Sequence, residues 1–167
     1  LFGAVATAGQ RCTSIRRALV HESVCEDFTS RLVAAYKQVR IGNPLEKGTL
    51  MGPLIHAGAV DAYRAALARV PQEGGEIVHG GKVLSGMPSG LYVEPTIVRA
   101  KRGMPLLAEE TFAPILYVVP VKDLAEAVEI NNAVPQGLSS SIFTRNMQHV
   151  ERFLSASGSD CGIANVN

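Results

Sequence analysis

The chain has 167 residues, 47% apolar and 19% charged. That is enough apolar material for one cored domain, and less charge than a free-standing domain usually carries, as expected where other protein covers part of the surface. A net charge of +1, without a basic stripe or an acidic tail, argues against nucleic acid or a membrane surface as partner, and no apolar run is long enough to cross a bilayer.

Residues LFGAVATAGQR read as a helical stretch that begins without a cap. A strand signal follows in TSIRRALVHES, with Ile15, Leu19 and Val20 ahead of a turn at His21-Glu22-Ser23. Ser23 and Glu26 have the spacing of a capping box. A helix is therefore predicted from Ser23, with Val24, Cys25, Phe28, Leu32, Ala35, Tyr36 and Val39 on one apolar face and Gly42-Asn43-Pro44 beyond its end. After the loop LEKGTLMGPLI, a second helix is predicted over 57–70, facing inward through Val60, Tyr63, Leu67 and Val70 and ended by Pro71 and Gly74-Gly75.

EIVHGG is a short strand, and KVLSGMPSGLYVEPTIVRA reads as two more around a Gly- and Pro-rich loop. The apolar run Ile115 to Val119, bounded by Pro114 and Pro120, suits a strand buried on both faces. Asp123 and Glu126 repeat the capping spacing ahead of a short helix. GLSSSIFT is a strand, Asn146 caps a helix that turns Met147, Val150, Phe153 and Leu154 inward, and CGIANVN is a last strand. Helices alternating with apolar strands give an α/β fold with a mostly parallel sheet flanked by helices.

The chemistry centres on GQRCT. A thiolate attacks carbon, and a cation or backbone donors nearby favour it. Cys12 stands between Arg11 and Thr13, but taken alone it reads as an ordinary small packed residue at least as readily as a nucleophile. Cys25 lies on the apolar helix face and Cys161 at a strand start, so core packing is the reading for both. Three sparse cysteines make no disulfide framework and fit a reducing compartment, with the cytoplasm as the expectation. His21, His56, His79 and His149 share no ligand spacing, and no metal site is expected. Gly74-Gly75 and Gly80-Gly81 are turn glycines rather than a phosphate cradle. EETFAP sets two carboxylates beside an aromatic just ahead of the buried strand, which suits either a charged loop with a Phe anchor or a carboxylate that accepts from sugar hydroxyls.

In order and spacing, GQRCT, IGNPLEKGTLMGPLI, YVEPTIV, EETFAP, NNAVPQGLSSSIFT and CGIANVN together resemble the NAD(P)-dependent aldehyde dehydrogenases across essentially the whole chain. Ala113 stands where that family commonly has glycine, and TFAPILYV, QGLSSSIFT and GSDCGIANVN resemble its antiquitin branch, the α-aminoadipic semialdehyde dehydrogenases. The resemblance implies that Cys12 is the catalytic nucleophile, that Glu110 and Phe112 hold the nicotinamide ribose of NAD (NADP being the alternative), and that Arg11 and Thr13 contact the substrate. It implies a small-molecule aldehyde substrate and a full-length homo-oligomer, dimer or tetramer. It also implies that residues 1–167 are the catalytic domain alone. The dinucleotide-binding domain, the general-base glutamate, the oxyanion asparagine and the C-terminal oligomerisation segment are expected elsewhere in the protein, and the isolated chain is expected to be inactive. Three alternatives stay open: a broad aliphatic or betaine-type aldehyde dehydrogenase, a thiol acyltransferase or hydrolase (which would need a histidine near Cys12), and a non-catalytic binding or assembly module.

Overall fold

In the apolar run that follows EETFAP, every residue of strand β4 (Ile115–Val121) except Pro120 is buried. The computed structural model describes all residues 1–167, in two units, residues 1–120 and residues 121–167. Strands β1 (Arg17–His21), β2 (Glu76–His79), β3 (Thr96–Arg99) and β4 form one sheet in the order β1-β4-β3-β2. β3 and β4 run parallel, with Thr96 opposite Ile115 and Arg99 opposite Val118, while β2 joins β3 antiparallel. The strand reaches one residue past Pro120 because that proline lies beyond the last β3 partner, where its missing N–H leaves no gap in the ladder. Of the two strands read in KVLSGMPSGLYVEPTIVRA, the first is only an isolated bridge, Val83 to Val93.

Helix α2 (Glu22–Tyr36) starts one residue earlier than its apparent capping box. The cap is His21, whose Nδ1 accepts from the Ser23 N–H (3.3 Å), and Glu26 is drawn off to pair with Arg99 at 2.9 Å. β1 runs straight into the helix at His21, so the imidazole, not the Ser23 hydroxyl, meets the free N–H groups. Its buried side chains are Cys25, Thr29 and Tyr36, whereas Val24 is exposed. Helix α3 (Ala57–Gln72) is capped by His56, which accepts from the Ala59 N–H at 3.0 Å. It runs through Pro71 rather than stopping before it, and Gly74, at φ +82°, closes it while the Gly75 N–H bonds the Val70 carbonyl at 2.8 Å.

Tyr63 of α3 is fully buried and locks the helix onto β3. Its hydroxyl lies 2.7 Å from Thr96 Oγ1 and 2.9 Å from the Glu94 carbonyl, and Thr96 Oγ1 also accepts from the Gly81 N–H at 3.0 Å. The hydroxyls thereby satisfy polar backbone that burial would otherwise leave unpaired.

In the second unit, helix α4 (Leu124–Asn132) carries the expected reciprocal cap. Asp123 accepts from the Glu126 N–H and the Glu126 carboxylate accepts from the Lys122 N–H, both at 2.8 Å. Strands β5 (Ser139–Ile142) and β6 (Ile163–Val166) pair in parallel, and helix α5 (Met147–Leu154), capped by Asn146, connects them. Of the four residues expected to face inward from α5, Phe153 is buried but Met147 and Leu154 are exposed.

Burial pushes the phenols of Tyr63 and Tyr117 up from 10.0 to about 12. The folded chain therefore holds these protons more tightly than the unfolded chain. The associated stability is complete below pH 10 and is lost as pH rises towards 12. Urea midpoints followed by circular dichroism should be insensitive to these groups up to about pH 10 and fall beyond it. Tyr63→Phe should blunt that fall and cost about 1 kcal/mol at neutral pH.

Candidate active site

The GQRCT stretch owes its shape to three consecutive residues in left-handed backbone. Helix α1 (Phe2–Val5) leads into a 3₁₀ turn (Ala6–Gly9) in which Thr7, Ala8 and Gly9 have φ of 55°, 53° and 68°. The chain then makes a second turn, in which the Arg11 N–H donates to Ser14 Oγ at 3.1 Å and the Ser14 N–H to the Arg11 carbonyl at 3.0 Å. Cys12 and Thr13 form its tip; both are exposed, as is Arg11. Neither the Cys12 nor the Thr13 N–H has an acceptor within the chain, so backbone donors stand beside the sulfur-bearing residue.

Three distant sequence blocks meet at this turn. A Cβ on Gly9 would collide with the Ala113 carbonyl, so the missing side chain lets the turn lie directly on the Ala113-Pro114 peptide of EETFAP. The Gln10 amide reaches the third block: its Oε1 accepts from the Ile55 N–H at 2.9 Å, and its Nε2 donates to the Pro53 carbonyl at 3.3 Å and to the Thr7 carbonyl at 3.1 Å. One side chain thus anchors the turn to the G-P-L-I end of the long loop.

The acidic segment separates its two carboxylates. Glu109 has extended backbone (φ −100°, ψ 150°), so the side chains of Glu109 and Glu110 diverge. Arg69 of α3 forks onto Glu109 with bonds of 2.7 and 2.8 Å and also holds Glu73, whose other oxygen accepts from the Leu106 N–H. The Arg69 guanidinium keeps the exposed Glu109 carboxyl below the usual carboxylate range. Glu110 instead faces Arg16, with Nη1 to Oε1 at 3.4 Å. Phe112 sits at φ 51° with its residue 42% exposed, so the ring is presented outward although Ala113 and Pro114 beside it are buried.

The five residues singled out from the sequence therefore occupy two adjoining places: Arg11, Cys12 and Thr13 on the turn, Glu110 and Phe112 on the segment beneath Gly9. Sequence reasoning missed Gln10 as the anchor, Arg16 and Arg69 as the grips on EETFAP, and His21 and His56 as helix caps. The signal for the caps was a histidine just ahead of each apolar helix; nothing local marks Arg69, whose partner is 40 residues away. Cys25 is buried as expected. Cys161 is half-buried in a polar cluster, with Sγ 3.0 Å from Ser140 Oγ and 3.3 Å from Ser159 Oγ, rather than in apolar packing.

The sequence profile of the aldehyde dehydrogenase family matches residues 1–167. The chain belongs to that family. Among curated aldehyde dehydrogenases, it is 52% identical to aldehyde dehydrogenase family 7 member B4 of Arabidopsis thaliana over 100% of its length, which is 32% of that protein. It is 50% identical to the alpha-aminoadipic semialdehyde dehydrogenase of Rattus norvegicus, again over 100% of the chain and 31% of the relative. Solved structures of the family superpose closely. HpcC of Thermus thermophilus gives a TM-score of 0.91 at 30% identity, covering 99% of this chain and 33% of that one. Betaine aldehyde dehydrogenase of Staphylococcus aureus in complex with NAD+ gives 0.90 at 27% identity, covering 98% and 33%. The chain thus spans about a third of the length of the aldehyde dehydrogenases it matches.

In this aldehyde dehydrogenase chain, Gly9→Ala should be the most damaging of the glycine-to-alanine changes near the turn. It adds a Cβ 2.6 Å from the Ala113 carbonyl carbon and 2.9 Å from the Pro114 nitrogen, at φ +68°. A loss of about 2 kcal/mol or more is expected in urea unfolding. Gly90→Ala, where nothing lies within 4 Å, should change stability by less than about 0.5 kcal/mol.

Proposed function

We propose that this chain is the catalytic domain of an NAD(P)-dependent aldehyde dehydrogenase that oxidises a polar aliphatic aldehyde, of the α-aminoadipic semialdehyde type, to its carboxylic acid. The observation that carries this reading is the junction of Gly9 with Ala113-Pro114, which sets the Cys12 turn against the Glu110–Phe112 segment. Both the family membership and the identity to the rat semialdehyde dehydrogenase support it. The remaining two thirds or so of the relatives' length would correspond to the cofactor-binding domain, the general base and the oligomerisation segment, and the homo-oligomer belongs to that longer protein.

Cys12 Sγ attacks the aldehyde carbon, and a bond forms between sulfur and carbon as the carbonyl oxygen becomes an oxyanion. The free N–H groups at the tip of the turn are donors suited to that oxygen. Loss of hydride from the same carbon leaves a thioester on Cys12, and water releases the acid and regenerates the thiol. The residues present suit a nicotinamide cofactor. Glu110 has one carboxylate oxygen at ion-pair distance from Arg16, leaving the other for ribose hydroxyls, and the outward ring of Phe112 offers an apolar face beside it. When bound, the cofactor supplies the hydride acceptor. Arg11 and Thr13, exposed on either side of Cys12, are placed to meet a substrate's polar groups, with Arg11 suited to a carboxylate.

In the full-length protein, Cys12→Ser should lower NAD(P)H formation from a semialdehyde by ~10³-fold or more, whereas Cys161→Ser should leave it within about twofold. Equal loss in both variants would remove Cys12 as the nucleophile. Residues 1–167 expressed alone should form no NAD(P)H under the same conditions, and turnover by that segment would refute the division of labour proposed for the domains.

A further inference from the structure

We propose that Arg16 is the positioning residue for Glu110, and that it couples the carboxylate meant for the cofactor ribose to the turn that carries Cys12. The inference rests on the reading of Glu110 as the ribose-binding carboxylate. Arg16 lies four residues past Cys12, and its own backbone is pinned in the sheet: the Tyr117 N–H of β4 donates to the Arg16 carbonyl at 2.8 Å. From that fixed base the guanidinium turns back along EETFAP. Its Nη1 donates to the Glu109 carbonyl at 3.3 Å and stands 3.4 Å from Glu110 Oε1. Arg16 and Phe112 also line the same small cavity, together with Glu109 and Tyr117.

The division of charge makes the pairing specific. Glu109 points the other way and has each oxygen engaged by the Arg69 fork, so it is less free than Glu110 to accept from hydroxyls. Arg16 engages Glu110 through one oxygen only, which orients the carboxylate without filling it. The side chains of Arg16 and Glu110 are 25% and 34% exposed, so solvent and salt screen this pair less than a fully exposed one. Because Arg16 is fixed to β4 four residues past Cys12, its grip on Glu110 would hold the cofactor contact in register with the turn that carries the nucleophile.

The experiment uses the full-length protein with Arg16→Gln, Arg16→Lys, Glu110→Gln and the double variant Arg16→Gln/Glu110→Gln. NADH binding is followed by fluorescence, and Cys12 alkylation by iodoacetamide without cofactor is the control. Arg16→Gln should weaken NADH binding about tenfold, Arg16→Lys should restore much of it, and the double variant should be no weaker than Glu110→Gln alone. Alkylation of Cys12 should change by less than about twofold, and the unfolding midpoint by no more than a few degrees. Additive losses in the double variant, or unchanged binding in Arg16→Gln while Glu110→Gln is impaired, would overturn the role of Arg16 alone. Unchanged binding in Glu110→Gln would overturn the ribose assignment, and this inference with it.

Discussion

Gly9 has no side chain at the place where the peptide joining Ala113 to Pro114 passes, and the candidate site depends on that close approach. The contact joins distant parts of the chain and leaves no room for a methyl group. Its geometry is also demanding, because Gly9 ends a run of three left-handed residues, two of which are not glycine. Ala8 is held there by burial, and the exposed Thr7 by the Gln10 N–H, which closes the turn on its carbonyl at 3.1 Å. The turn that carries Cys12 is therefore a feature fastened to EETFAP rather than a free surface loop, which suits the nucleophile role proposed for it.

The same contact explains the placing of the charges around it. Once EETFAP is pinned at Ala113, the extended backbone ahead of it sends consecutive glutamates to opposite sides. One is consumed by structure, in the Arg69–Glu109–Glu73 group that ties the segment to α3. The other keeps an unfilled oxygen beside a single arginine. A sequence of two identical residues thus becomes one structural and one available carboxylate, decided by backbone direction alone.

Much of this was legible in the residues, and the failures have specific causes. The doubly buried strand, the Asp123 cap and the interior face of α3 follow from local chemistry, and they appear as read. The Ser23 box did not form because β1 delivers His21 to the free N–H groups first, an effect of strand position that spacing cannot show. α5 reads as amphipathic over four positions, yet only Phe153 of them is buried, and Met147 and Leu154 are exposed within this chain. At the site, resemblance to a family picked out Cys12, Glu110 and Phe112, whereas the contacts that seat them, through Gly9, Gln10, Arg16 and Arg69, are tertiary and leave no periodic or local trace.

Phe112 carries a consequence of a different kind. An aromatic residue at φ 51° is held against its own backbone preference, at a cost on the order of 1–2 kcal/mol, and in return the ring is turned outward rather than into the core. Given the cofactor role proposed for the ring, position 112 is one where selection for heat resistance and selection for turnover pull apart. A library enriched only for survival at high temperature would drift there towards asparagine or glycine, and the aromatic would persist only in lineages that still had to use it.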